Sequence, residues 1–325
     1  MTRPLAALPK AHLHLHFTGA MRHTTLVELA RERGVHLPDA LAAAWPPRLR
    51  GTDERGWFRF QRLYDIARSV LREPADVFRL LAETAADERA EGSGWLEIQV
   101  DPSGYAARFG GLTPTVELVL AAAHAASAAT GVGIGVIIAA NRTKHPLEAR
   151  TLARLAGQYV GRGVIGFGLS NDERRGAAHD FAAAFRIAGR AGLLLTPHGG
   201  ELAGPASVRS CLDDLHAHRI GHGVAAAADR ELTKRLAASG ITLLRPSRKD
   251  EAARHGEPLL KSVRQLIESV NDTLKGQLDL EAHGGRTFEG VAIRVAQRIL
   301  AMAAAIWHNN KTGQPVTRSL IAYDH

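Results

Sequence analysis

Residues 12–17 read HLHLHF, a histidine at every second position of a short apolar run. Side chains of a β-strand alternate between its faces, so this spacing places His12, His14 and His16 on one face and Leu13, Leu15 and Phe17 on the other. Two neutral imidazoles at adjacent same-face positions can meet one metal ion, and the same pattern also suits histidines of a surface or of a core. Five more runs have the make-up of buried strands: Trp95 to Val100, Val132 to Ala139, Val164 to Leu169, Leu193 to His198 and Arg219 to Val224. Between most of them lie apolar residues at helical spacing, for example Leu63, Ile66, Ala67, Val70 and Leu71. Repeated strand-then-helix units predict a parallel sheet. His14, His16, Asn171, His198 and His222 all fall at or just after strand ends, where a (β/α) barrel carries its chemistry.

Composition narrows the class. With 45% hydrophobic and 23% charged residues in 325, the chain can bury a large core and is not expected to be disordered. Its one cysteine, Cys211, excludes an internal disulfide and a multi-cysteine zinc site, so a metal must be held by histidines and carboxylates. The N-terminus MTRPLAALPKAHLHLH has no apolar run of signal-peptide length, and the Ala-rich stretch 119–129 is too short and too weakly apolar to span a bilayer. The expected location is therefore cytoplasmic, with no membrane partner. A net charge of +8 raises the question of nucleic acid, but the excess is spread thinly without a Lys/Arg-dense run. A solvated basic surface is the better reading, and nucleic acid is not the expected partner.

After Gly240 the texture changes. A short strand, Ile241 to Leu244, leads into the charged stretch RPSRKDEAARHGE and then into two long helical patterns, about Pro258 to Leu280 and about Phe288 to Trp307. The linker HGGR at 283–286 separates these, its glycines acting as a helix stop.

Three motifs, LPKAHLHLHFTGA at 8–20, TPHGGE at 196–201 and HRIGHG at 218–223, occur in an order and spacing that resemble the adenosine deaminase family. FQRLYDIARSVLR and VIGFGLSNDE extend the likeness over nearly all of the first 240 residues. Singly, His198 and His222 could be core histidines and Glu201 a loop carboxylate. The resemblance implies instead a (β/α) barrel of the metal-dependent hydrolase type with zinc on His14, His16 and His198. It implies that Glu201 gives a proton to the purine ring nitrogen beside the carbon under attack, and that His222 orients and helps deprotonate the water. His16, Thr18 and Asn171 are the implied substrate contacts, and the partner is a small purine nucleoside or base. Three positions depart from the family. His12 stands where it usually has Glu and is expected to be buried or to support a ligand from behind. Thr18 replaces an acidic residue placed against the sugar or ring, and Asn171 a glycine whose backbone meets the purine.

The family completes its site with a late Ser-x-Asp-Asp-type motif on the eighth strand, and nothing after Gly240 matches it, Asp250, Asp272, Asp279 and Asp324 included. The barrel is thus expected to be incomplete at its last strands and turnover to be weak or lost, since acid and base groups contribute about 100- to 10,000-fold. From about Leu243 the segments RPSRKDE, LLKSVRQLIESVNDTLKGQLDLEAHGGR and RVAQRILAMAAAIWHN resemble the C-terminal end of DDE-type insertion-sequence transposases, with Arg264, Glu268 and Lys275 as the signature and Lys261 in place of its usual Tyr. Steps of four and seven residues set these three on one side of a helix. One carboxylate cannot hold two metal ions, so strand transfer is not expected. The expected organisation is a deaminase-like barrel portion over 1–240 and a mostly helical, transposase-like segment over 241–325, joined within 225–245. The alternatives are a DNA-associated transposase fragment or an inactive gene-fusion product.

Overall fold

The apolar runs form the strands of one parallel sheet: β1 (Lys10–His16), β2 (Ser93–Val100), β3 (Gly133–Asn141), β4 (Val164–Ser170), β5 (Leu194–Gly199) and β6 (Gly221–His222). They are ordered in space as in sequence. The structure is a computed structural model that describes residues 9–43, 54–238 and 287–312. Between β1 and β2 run α1 (His23–Glu32), α2 (Asp39–Ala43), α3 (Glu54–Ser69) and α4 (Pro74–Ala90). The later strands are joined by α5 (Leu112–Thr130), α6 (Pro146–Gly157), α7 (Ala182–Arg190) and α8 (Pro205–Asp213), and α9 (Arg230–Ala238) follows β6. Each crossover returns the chain to the same end of the sheet, as parallel pairing requires.

The sheet is curled. In a flat sheet, five spacings of about 4.8 Å would hold β1 and β6 about 24 Å apart. Yet the rings of His14 on β1 and His222 on β6 lie 4.8 Å apart. The six strands are therefore bent into a nearly closed barrel, which brings residues more than 200 positions apart to one rim. Among the described residues β1 and β6 are the two edges, and the barrel is incomplete in that sense.

The core fills the space between sheet and helices, with Leu96, Ile98, Val136, Ile138, Phe167 and Leu169 from the strands packed against Leu80, Val116, Leu152 and Phe185 from the helices. Helix α5 is the one described helix long and apolar enough to cross a bilayer. Here its Val116, Val119, Ala122, Ala123 and Ala126 are buried, packed on α4 and β3.

Two expectations need correction. The strand read over Arg219 to Val224 shrinks to two residues, because His222 (φ 69°) and Gly223 (φ 63°) adopt the left-handed conformation and end the extended chain. His12 is not buried but partly exposed, with a carboxylate as its partner. Its Nδ1 lies 2.6 Å from Glu88 Oε1 of α4, with 40% of the side chain exposed.

By contacts the chain separates into two units, Met1–Ile241 and Thr242–His325. The described part of the second is α10 (Phe288–Lys311), capped by Thr287, whose hydroxyl accepts the Gly290 amide at 3.0 Å. The strand at Ile241 to Leu244, the helix at 258–280, the 283–286 linker and the signature residues Lys261, Arg264, Glu268 and Lys275 lie outside the described residues.

Candidate metal centre and its cavity

Three strands and their ends build the site. Same-face alternation on β1 carries His14 and His16 to the rim, β5 delivers His198, which is 2% exposed, and β6 delivers His222. One ligand atom from each of the four lies within 4.8 Å of the others, and His14 Nε2 is 3.1 Å from His16 Nε2. At zinc–nitrogen distances of about 2.0–2.1 Å, two imidazole nitrogens on one tetrahedral ion stand roughly 3.3 Å apart, so the β1 pair already has that spacing.

Burial, reinforced by the neighbouring imidazoles, lowers His14 to about 4 and His16 to about 3, and holds His198 well below its ordinary value. Burial also lowers His222. Crowded imidazoles cannot all be charged, and in the neutral form each offers a lone pair. His198 Nε2 is buried with no hydrogen-bond partner. An orphaned buried nitrogen among neutral imidazoles is costly without an occupant, and this set of donors fits a divalent metal cation.

The packing around the histidines is tight. A Cβ on Gly221 would stand 2.5 Å from His14 Cε1 and 2.8 Å from His198 Cδ2, so only glycine lets the two rings approach there. Just past β3, the buried Arg142 donates through Nη2 to the His198 carbonyl and through Nη1 to the Gly176 carbonyl at 3.0 Å. The buried Cys211 thiol donates to the same His198 carbonyl at 3.3 Å.

Glu201 follows β5 through the left-handed Gly200. Burial, then the charges of Glu173 and Asp172, raise its pKa to about 7. Its Oε2 lies 3.3 Å from His222 Nε2. That separation would suit an ion pair, but the same burial favours the neutral form of both partners, so near neutral pH the contact is chiefly that of a carboxyl group with an uncharged imidazole.

A cavity of about 390 Å³ opens above these groups. Trp57, Phe60 and Tyr64 of α3 form an apolar wall, Gln99, Asp101 and Asn141 line the sides, and His14, His16, His198, His222 and Glu201 converge at one end. His16 and Asn171, two of the expected substrate contacts, line it. Thr18, the third, is not among its lining residues. It is fully buried in a turn past β1, where strand alternation no longer applies, and its hydroxyl is bonded to Tyr105.

Sequence reasoning missed Arg142, Glu173 and the aromatic wall. The wall had a signal in the 57, 60, 64 spacing, one face of a helix. Glu173 closed the quoted stretch VIGFGLSNDE without being singled out, and Arg142 had no signal, since an Arg after a strand is an ordinary loop residue until its partners are known.

Comparison with known proteins places these features in context. The family described as adenosine deaminase is matched over residues 9–245. A Streptomyces virginiae protein named as an adenosine/adenine deaminase is 67% identical over 240 residues, covering 74% of this chain and 71% of its own. Among solved structures, a zinc-bound amidohydrolase from Burkholderia ambifaria superposes with a TM-score of 0.64 at 27% identity, covering 73% of this chain and 65% of the neighbour. The present chain thus spans just under two thirds of that neighbour's length. An adenine deaminase from Arthrobacter aurescens gives a TM-score of 0.61 at 26% identity, covering 71% and 69%.

Proposed function

This chain belongs to the adenosine deaminase family, and from that premise we propose that it hydrolytically deaminates a purine base or nucleoside, with zinc held by His14, His16 and His198. The observation that carries this reading is the convergence, at one end of an aromatic-walled cavity, of neutral imidazoles and a carboxyl group titrating near 7. Zinc, when bound, supplies Lewis acidity that lets water ionise near neutral pH.

The remaining work falls to the chain. The apolar wall of Trp57, Phe60 and Tyr64 suits a planar heterocycle, and His16 and Asn171 line the same cavity as substrate contacts. Protonated Glu201 gives its proton to the ring nitrogen beside the carbon bearing the amine, which makes that carbon electrophilic. His222 orients the attacking water and takes up a proton at Nε2. Water adds at the carbon, the amine takes the proton held by His222 and leaves as ammonia as the carbon–nitrogen bond breaks, and Glu201 regains a proton from the new hydroxyl, leaving the oxo (hydroxypurine) product.

Two finer proposals accompany this one. Turnover is low, because residues after 245 lie outside the family match and carry no Ser-x-Asp-Asp-type motif to orient the water. Residues from about 241 to 325 derive from a transposase C-terminal end, a reading supported by the resemblance of RPSRKDE, LLKSVRQLIESVNDTLKGQLDLEAHGGR and RVAQRILAMAAAIWHN, with Arg264, Glu268 and Lys275 as its signature. Insertion-element ends in the flanking DNA would support the fusion, and their absence would refute it.

The deaminase test is direct. Zinc-loaded protein is mixed at high concentration with adenine or adenosine, and ultraviolet absorbance and ammonia are followed. Slow, enzyme-dependent release of ammonia is expected. No ammonia from either substrate over many hours, with zinc bound, rejects the reading.

A further inference from the structure

The geometry points to Glu173 as a positioning residue that holds the loop bearing Glu201, and so places the proton donor at the reacting end of the cavity. This rests on the proposed role of Glu201, and it is carried by a cluster of bonds the reaction itself does not use. Glu173 lies just past β4 and Glu201 just past β5, on neighbouring strands of the rim. The Glu173 carboxylate is buried, and its Oε2 accepts three consecutive backbone amides, those of Glu201 at 3.0 Å, Leu202 at 2.8 Å and Ala203 at 2.8 Å. Its Oε1 accepts the Ser207 hydroxyl at 3.0 Å, at the start of α8.

Three successive N–H groups turned to one point form a concave site for an anion, here filled from within the chain. Residues 201–203 belong to no helix or strand, and none of these amides has a backbone acceptor among the described residues. The loop thus takes its shape from one side chain. The neighbouring carboxylate cannot substitute, because Asp172 is engaged by the Arg174 guanidinium at 2.8 and 3.0 Å. Glu173 does not line the cavity, so it acts on the reaction at second hand, by holding this loop and by the charge it sets beside Glu201.

The consequence is a division of labour that two substitutions separate. Glu173→Gln keeps a carbonyl oxygen for the three amides and an amide group for Ser207. Glu173→Ala leaves all four donors without their acceptor. Backbone hydrogen exchange at Glu201, Leu202 and Ala203, followed by NMR on the full zinc-loaded chain without substrate, reads the clamp directly. These amides should be protected in the parent and in Glu173→Gln, and exchange about tenfold faster or more in Glu173→Ala, the equivalent of one lost hydrogen bond. In turnover, Glu173→Ala should lower kcat about 100-fold, the scale of a misplacement of about 1 Å, with little change in KM and no loss of zinc. Glu173→Gln should recover kcat to within about tenfold.

Unprotected amides in the parent, or exchange unaltered by Glu173→Ala, overturns the clamp. Faster exchange with unchanged kcat overturns the positioning role while leaving Glu201 as the donor. The expected exchange pattern in a chain that turns over no purine in any form overturns the deaminase reading, and the positioning role with it.

Discussion

One end of the cavity has two unlike walls, the imidazoles of β1, β5 and β6 and the acid that follows β5, and burial acts on them in opposite directions. It drives His14 down to about 4 and His16 to about 3. It drives Glu201 up to about 7. In both cases the low dielectric penalises the charged form, so bases lose their proton more readily and the acid keeps its own. The result is an electroneutral pocket end whose bases can accept a cation and whose acid can still donate. Opposite shifts in neighbouring groups are the usual way one site performs acid and base work at one pH.

The sharpest way to break this contrast is at the imidazole wall. Replacing His198 with Ala should abolish zinc retention and turnover together, read by metal analysis after gel filtration. Full zinc occupancy in that variant would show that His198 does not hold the metal. Next in size is the acid wall, where Glu201→Gln should retain zinc and the fold yet lose about 100- to 10,000-fold in kcat. Were kcat to survive, another group must supply the proton.

Smaller effects come from groups that support the histidines. Gly221→Ala forces a Cβ to within 2.5 Å of the His14 ring and 2.8 Å of the His198 ring. Arg142→Leu removes the donor to the His198 carbonyl. Each should weaken zinc about 10- to 100-fold, as losses behind metal ligands do, measured by competition with a chelator. An unaltered affinity in both would mean the rings are placed by other contacts.

The mildest probe is pH, and its sign differs between the walls. Donation needs protonated Glu201, so rate should decline as pH rises through about 7, and Glu201→Gln should erase that limb. Stability of the metal-free protein should move the other way. The unfolded chain protonates its histidines from about 6.5 downward, whereas folded His14 and His16 wait until about 4 and 3. The unfolded state then binds more protons, and stability present above 6.5 is lost as pH falls toward 3. A flat denaturation midpoint between pH 6.5 and 4 would contradict the burial of these rings.

Much of this architecture was legible in the chain. Local patterns are short-range, and the runs at 95–100, 132–139, 164–169 and 193–198 became strands with bounds shifted by a residue or two. Alternation in HLHLHF correctly grouped His14 with His16. It misled at His12, because sharing a strand face does not say how far along the barrel a side chain sits, and Glu88 claims that ring. It misled at β6, where two left-handed residues end the strand early. Thr18 was placed by analogy with a family position, but Tyr105 takes its hydroxyl.

The amino-acid order by itself determined a repeating strand–helix chain, its parallel sheet, and the residue types able to bind a metal and exchange a proton, because propensity and periodicity act over a few positions. Only the folded chain decided that His14, His198 and His222 meet, that Gly221 leaves room for them, and that a glutamate after β4 holds the loop after β5. Those facts depend on how the sheet curves and on what is shut away from water. Through-space distances and desolvation are properties of the assembled barrel, and no window of sequence contains them.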